Sequence, residues 1–141
     1  AAGWFKALDG WGEFCRVYAA EEMECRHCVF TYVNEPGSLS EVGQIDAPPI
    51  DFKAIIDVFQ ETYKHECFIT GKINQLAKIA QEEDDFSTFN FLQWYVAEQH
   101  EEEKLVKSII DKIEMIGPNG LFFIDKEVEK MAGAATGIEE V

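Results

Sequence analysis

The feature that most restricts the fold is an acidic run at residues 98–103, which lies inside a long stretch with apolar side chains at helical spacing. Apolar residues recur every three or four positions on both sides of the run, so the run is predicted to lie in the middle of a helix. On that helix Glu98, Glu101 and Glu102 share one face. Their charges repel one another, and either solvent or a bound cation must offset that repulsion.

Composition narrows the class of protein. The chain has 141 residues and a net charge of −15, and this length suits one domain with a core of its own. The negative charge argues against nucleic acid and anionic membranes as partners, and it favours cations. Four irregularly spaced cysteines predict free thiols in a reducing compartment. Because the sequence carries no signal peptide or membrane-spanning run, we expect a cytoplasmic location.

Helical spacing predicts three long helices, one short helix and a disordered polar tail, at residues 11–34, 51–81, 86–115, 121–131 and 132–141. Residues 1–8 are predicted to be the end of a further helix, which the breaker pair Asp9-Gly10 terminates. An acidic turn at residues 82–85 joins two of the long helices. Because this turn is short, the two helices are expected to be antiparallel neighbours.

A long extended connection runs from Pro36 to Ile50, and Asp51 is the predicted N-cap of the helix after it. Such a connection can join helix ends that lie far apart. We therefore predict one all-α domain over residues 1–131. Three long helices do not close a core well by themselves, so a fourth long helix ahead of residue 1 would complete a four-helix bundle.

The other long helices also carry carboxylates near their apolar stripes. Glu22 shares a face with Cys25 on the first helix, and Glu66 follows the stripe of the second. Helix bundles bind a pair of iron ions through one or two inward carboxylates per helix, with a softer side chain three residues after one of them. Hard oxygen ligands suit iron and manganese. Two bound metal ions would neutralise the repulsion within the acidic run.

Four segments of the sequence match a known family pattern: Ala20–Met23, Phe59–Glu66, Phe89–Lys104 and Phe122–Glu127. Through them the chain resembles the bacterial non-haem ferritins over nearly all of residues 1–131. The resemblance implies a ferritin-like four-helix bundle with a long crossover connection and a short fifth helix, whose first helix is largely absent from this sequence.

The same resemblance implies a function. Members of this family oxidise Fe(II) with oxygen or peroxide at a di-iron centre inside each subunit, so we expect ferroxidase activity. They store Fe(III) as a mineral inside a hollow homo-oligomeric shell, which is expected to have 24 subunits. No haem is expected.

The resemblance also assigns residues to the di-iron centre. Glu22 resembles the carboxylate that bridges the two irons. Glu66 and Glu102 resemble ligands of the second iron, and Gln99 lies close to them. Cys25 departs from the family pattern, which is Glu-x-x-His at this place. Three outcomes stay open for Cys25: its thiolate binds iron in place of the imidazole, it is oxidised, or it leaves the first iron site weak.

Three further carboxylates, Glu21, Glu98 and Glu101, resemble those that form an adjacent third iron site in bacterial ferritins. The spacing Glu98-x-x-Glu101 also separates this chain from related bundles, because bacterioferritins and the ribonucleotide-reductase type usually carry a second Glu-x-x-His there. The resemblance therefore favours a non-haem ferritin over those relatives.

Two other functions stay open from the sequence. The chain could be a ferritin-like shell subunit whose ferroxidase centre is impaired by Cys25, or a metal-free helical interaction module with its acidic face in solvent. A zinc or redox role for Cys25 and Cys28 is not favoured. A redox C-x-x-C motif requires a strand–helix setting, and a structural zinc site requires about four ligands.

Overall fold

The structure is a computed structural model of the chain, and it describes residues 9–37 and 39–135. Its helices are α1 (Asp9–Asn34), α2 (Ile55–Glu82), α3 (Phe86–Ile116) and α4 (Asp125–Ala135), and a 3₁₀ turn at Leu121–Ile124 directly precedes α4. The described residues contain no strand, so the all-α prediction is confirmed. Within this part of the chain, no helix is long and apolar enough to cross a membrane.

The chain forms two compact units. One unit consists of α2 and α3, and the other contains α1, the extended connection and α4. The prediction of an extended connection after α1 is confirmed, because residues 39–52 have no regular secondary structure. The predicted helical end at residues 1–8 lies outside the described residues.

Helices α2 and α3 pack against each other as an antiparallel pair, as predicted. Ala77 and Ala80 of α2 form a buried cluster with Leu92 of α3, and Phe89 and Phe91 pack around it. Further along the pair, Val106 and Ile109 are fully buried on the same side of α3. This apolar stripe sets the rotation of α3 about its own axis, because burying it is the main gain from packing the two helices.

The turn between α2 and α3 is shaped by two of its acidic residues. Asp84 adopts a left-handed backbone with φ 57°, which the short polar side chain of Asp tolerates. Asp85 caps α3 by accepting hydrogen bonds from the Thr88 hydroxyl and, at 3.0 Å, from the Thr88 backbone N–H. These hydrogen bonds lower the pKa of the Asp85 carboxyl.

The start of α2 differs from the prediction. Asp51 is not the N-cap, since the helix begins at Ile55 with Ala54 in the cap position. Asp57 takes over the capping, because its carboxylate accepts from the backbone N–H groups of Lys53 and Ala54 at 3.1 and 3.0 Å. A carboxylate in the first helical turn also interacts favourably with the helix dipole.

The start of α1 corrects a second prediction. Asp9 and Gly10 belong to α1, which begins at Asp9 and not at the predicted residue 11, while the helix that this pair was predicted to terminate lies outside the described residues. The carboxylate of Asp125, at the start of α4, accepts from the N–H groups of Gly10 and Trp11 at 3.1 Å each. It therefore caps α1 from a position more than a hundred residues away along the chain, which a local sequence pattern cannot reveal.

Close packing between α1 and α4 explains the glycine at position 10. A Cβ atom placed on Gly10 would lie 2.1 Å from the backbone oxygen of Asp125. The core of this unit includes Trp11, Phe14 and Val128, all at most 2% exposed. Helix α4 continues to Ala135, four residues beyond the predicted Met131, and the rest of the predicted tail, residues 136–141, lies outside the described residues.

Candidate metal centre

A buried polar contact in the α2–α3 unit joins Gln99 to Glu66. The side-chain amide nitrogen of Gln99 donates to the Glu66 carboxylate oxygen Oε2 at 2.6 Å and to the Glu66 backbone carbonyl at 3.2 Å. Both side chains are 4% exposed. The structure therefore brings together two of the residues that the sequence predicted for the metal site, at the middle of the helix pair.

Glu102 lies one turn after Gln99 on α3 and is also buried. The buried face of α3 continues from these two residues to Val106 and Ile109. This buried face differs from the predicted acidic face, which grouped Glu98, Glu101 and Glu102. The face of α3 that packs on α2 is rotated about the helix axis relative to the predicted acidic face. The apolar residues after the acidic run determine this rotation, because they are the residues that must be buried.

Buried carboxylates carry a physical cost. Moving a carboxylate out of water costs roughly several kcal/mol of hydration free energy, unless a nearby positive charge or hydrogen bonds compensate for the lost water. The amide of Gln99 gives Glu66 a hydrogen bond but no positive charge. Glu66 and Glu102 are carboxylates on facing helices of one unit, so a cation bound between these helices would offset the cost of both. Their oxygen atoms suit a hard metal ion such as iron.

The remaining acidic residues of the run have different surroundings. Glu98 is half-buried, while Glu101 is exposed and pairs with Lys104 at 3.3 Å. Glu103 accepts a hydrogen bond from the Thr70 hydroxyl of α2. Sequence reasoning missed this contact between α2 and α3, although a threonine and a glutamate facing each other across an antiparallel helix pair could have suggested it.

The other predicted ligands lie on α1, in the second unit. Glu21 and Cys25 are half-buried, and Glu22 is exposed. Within the described part of the chain, no three His, Cys, Asp or Glu side chains stand close enough together to hold a metal ion. The structure therefore joins Glu66, Gln99 and Glu102 within one helix pair, and the contribution of Glu21, Glu22 and Cys25 to the same centre stays a prediction.

The four cysteines are free thiols, as predicted. Three of them, Cys15, Cys28 and Cys67, are exposed. A groove of about 780 Å³ lies in the α1–α4 unit, lined by residues that include Arg26, Phe30 and Ile45. None of the predicted metal ligands lines this groove, so the groove and the candidate metal centre are different places.

Comparison with known proteins places this geometry in context. The Ferritin-like domain family matches residues 6–116. The chain is 48% identical over 132 residues to a probable bacterial non-heme ferritin-like protein of Haemophilus influenzae, covering 92% of this chain and 80% of that protein. It is 46% identical over 129 residues to a bacterial non-heme ferritin of Escherichia coli O6:H1, covering 90% and 78%.

The solved structures that are similar to this chain are also ferritins. A humanized archaeal ferritin superposes with a TM-score of 0.83 and 37% identity, covering 86% of this chain and 76% of that one. The ferritin of Chlorobium tepidum superposes with a TM-score of 0.77 and 43% identity, covering 89% and 79%.

Proposed function

The chain belongs to the ferritin family, and from that premise we propose that it oxidises Fe(II) at a di-iron centre within the subunit and stores Fe(III) as a mineral in a hollow shell. Its fold is the ferritin four-helix bundle that the sequence predicted. Its function is iron storage, and the relatives do not favour an impaired shell subunit or a metal-free interaction module.

The observation that carries the proposed centre is the buried contact between Glu66 of α2 and Gln99 of α3, with a further buried carboxylate, Glu102, one turn along α3. We assign Glu66 and Glu102 to the second iron, and Glu22 of α1 to the bridge between the two irons. Cys25 is the proposed protein ligand beside the first iron. Each Fe(II) ion gives up one electron, and dioxygen or peroxide accepts the electrons.

The carboxylates favour this reaction because hard, negatively charged oxygen atoms bind Fe(III) more strongly than Fe(II). Differential binding of the product lowers the reduction potential of the iron and so drives its oxidation. Glu21, Glu98 and Glu101 form the proposed third iron site. The half-burial of Glu98 and the exposure of Glu101 suit a site through which ions leave the centre.

The assembly belongs to the same proposal. The matched structures are ferritins, and we infer that this chain forms a homo-oligomeric shell of 24 subunits in the cytoplasm, as the family resemblance implies. A chain with a net charge of −15 raises the local concentration of Fe(II) at such a shell.

The proposal is tested by adding Fe(II) in air to the purified protein. We expect a ferric absorbance to appear, and we expect the iron to co-elute in size-exclusion chromatography with a particle far larger than a monomer or dimer. The same sample is then analysed for iron content. Fe(II) oxidation no faster than in buffer, or iron that elutes apart from the protein, would overturn the proposal.

A single substitution tests the departure at Cys25. A thiol must lose its proton before it binds a metal, whereas a neutral imidazole binds directly at neutral pH. We therefore expect Cys25→His to raise the initial rate of Fe(II) oxidation several-fold, as measured by stopped-flow absorbance. The matched control is Cys28→His, which makes the same change at an exposed position three residues further along α1 and should leave the rate unchanged. An unchanged rate in Cys25→His would mean that Cys25 does not limit the first iron site.

A further inference from the structure

A hydrogen bond between side chains joins α2 to α3 one helical turn away from the candidate metal centre. The hydroxyl of Thr70 donates to the carboxylate of Glu103, and both side chains are half-buried. Thr70 lies four residues after Glu66 on α2, and Glu103 lies four residues after Gln99 on α3. Residues four apart are neighbours on a helix surface, so on each helix this bond lies beside a residue of the centre.

The hydroxyl of Thr70 is turned away from its own helix. A threonine in a helix can donate to the backbone carbonyl one turn earlier. Thr62 of α2 does so, and its hydroxyl lies 3.0 Å from the backbone oxygen of Val58. The corresponding acceptor for Thr70 is the backbone oxygen of Glu66, which accepts a hydrogen bond from α3 instead. Thr70 therefore uses its hydroxyl to join the two helices, through Glu103.

This bond supplies something that the apolar stripe cannot. Burial of apolar side chains holds α2 and α3 together, but it is not directional and sets their relative rotation only coarsely. A hydrogen bond restricts both a distance and an angle, and it is stronger when the acceptor is a carboxylate. Because the side chains of a metal site must be held to within roughly 0.5 Å, a directional contact next to the centre matters for metal binding.

From this geometry we propose that Thr70 and Glu103 are positioning residues, whose hydrogen bond fixes the rotation of α3 on α2 and thereby the spacing of Glu66 and Glu102. The inference rests on the proposed function, because it presumes that these two carboxylates bind iron. Residues that support metal ligands typically contribute roughly 10–100-fold to metal affinity. We expect the lower end of that range, because Thr70 and Glu103 act through the helices that carry the ligands.

The role of Thr70 is tested by titrating the apo protein with Co(II), a divalent cation that air does not oxidise, in a calorimeter well below the melting temperature. Thr70→Val keeps the shape of the side chain and removes the hydroxyl, so we expect Co(II) binding to weaken roughly tenfold. Thr70→Ser keeps the hydroxyl and should bind Co(II) like the unsubstituted chain. Unchanged affinity in Thr70→Val, even with a lower melting temperature, would overturn the inference, and so would Thr70→Ser as weak as Thr70→Val.

A double-mutant cycle tests whether the two residues act as one unit. Glu103→Ala removes the acceptor, so it should weaken Co(II) binding about as much as Thr70→Val does. The double variant should also lose only roughly tenfold, because the same hydrogen bond is lost in all three proteins. If Glu103 bound the metal independently of Thr70, the two losses would multiply to about a hundredfold in the double variant. That result would overturn the inference.

Two controls match these substitutions. Thr62→Val removes a hydroxyl from α2 whose acceptor lies in the same helix, and Glu114→Ala removes an exposed carboxylate from α3. Both should bind Co(II) like the unsubstituted chain, and far-UV circular dichroism establishes that each variant keeps its helices.

The failure of this inference can be distinguished from the failure of the proposed function. If Glu66→Ala abolishes Fe(II) oxidation while Thr70→Val binds Co(II) like the unsubstituted chain, the inference fails and the proposed function stands. If the unsubstituted chain binds no Co(II) and oxidises no Fe(II), both fail.

Discussion

Replacing Glu22 and Glu66 together by alanine is expected to slow the initial oxidation of Fe(II) about a hundredfold or more. The estimate follows from metal sites in general, where the loss of a supporting partner alone costs roughly 10–100-fold, and here two direct ligands would be lost. Stopped-flow absorbance of the ferric species at two Fe(II) per subunit measures the rate.

The matched control replaces Glu24 and Glu61 by alanine. These residues lie on the same two helices, are exposed, and change the net charge by the same amount. Both double variants lose two negative charges, so the electrostatic attraction of Fe(II) to the protein falls equally in both. A difference between their oxidation rates therefore reports loss of the metal centre. Equal rates in the two variants would contradict the assignment of Glu22 and Glu66.

The folding of the first double variant is not expected to suffer. Glu66 is 4% exposed, so its removal relieves the cost of keeping a carboxylate out of water but takes a hydrogen-bond acceptor from the buried Gln99 amide. Because these two effects oppose each other, the apo form should melt close to the temperature of the unsubstituted chain. A large fall in melting temperature would mean that Glu66 supports the helix pair directly, and the rate would then be compared with that of Glu66→Gln.

The second large effect is expected from Gly10→Ala. The added methyl group would lie 2.1 Å from the backbone oxygen of Asp125, so α1 and α4 must move apart there. That movement stretches the two hydrogen bonds by which Asp125 caps α1. Overpacking of this kind costs typically about 1–3 kcal/mol, and we expect the melting temperature to fall by roughly 5–10 °C.

Gly12→Ala is the matched control for this prediction. It lies in the same helix, and no described atom stands within 4 Å of its Cβ position. Alanine is favoured over glycine in a helix by about 1 kcal/mol, so this variant should melt higher than the unsubstituted chain. Both variants replace a glycine of α1 by alanine, but their melting temperatures are expected to change in opposite directions. A higher melting temperature for Gly10→Ala would contradict the close approach of α1 and α4.

Much of the fold was accessible from the sequence because its signals are local. Apolar spacing placed the three long helices to within a few residues, and the acidic turn predicted that α2 and α3 are antiparallel. Most of the errors lie at helix starts, although α4 also ends four residues later than predicted. Asp51 has the right chemistry for an N-cap, yet Asp57 caps α2, and Asp9-Gly10 has the composition of a breaker, yet it begins α1.

Part of the candidate site could likewise be predicted from the sequence, and part could not. The acidic run, Glu66 and the pair Glu22–Cys25 stand out in the sequence because charge within an apolar helical pattern is unusual, and the family resemblance gives each of them a role. The sequence alone thus determined the class of fold, the family and the residues from which a metal centre can be built.

Only the tertiary structure decided which of those residues turn inward and what they touch. Helical periodicity shows which residues share a face of α3, but it does not show which face is buried. The rotation of α3 is set by packing its apolar stripe against α2. That packing buries Gln99 and Glu102 and leaves Glu101 exposed. The hydrogen bond from Gln99 to Glu66 and the cap that Asp125 provides for α1 each join residues far apart in sequence. Such contacts depend on the three-dimensional approach of two helices, which no local pattern of residues encodes.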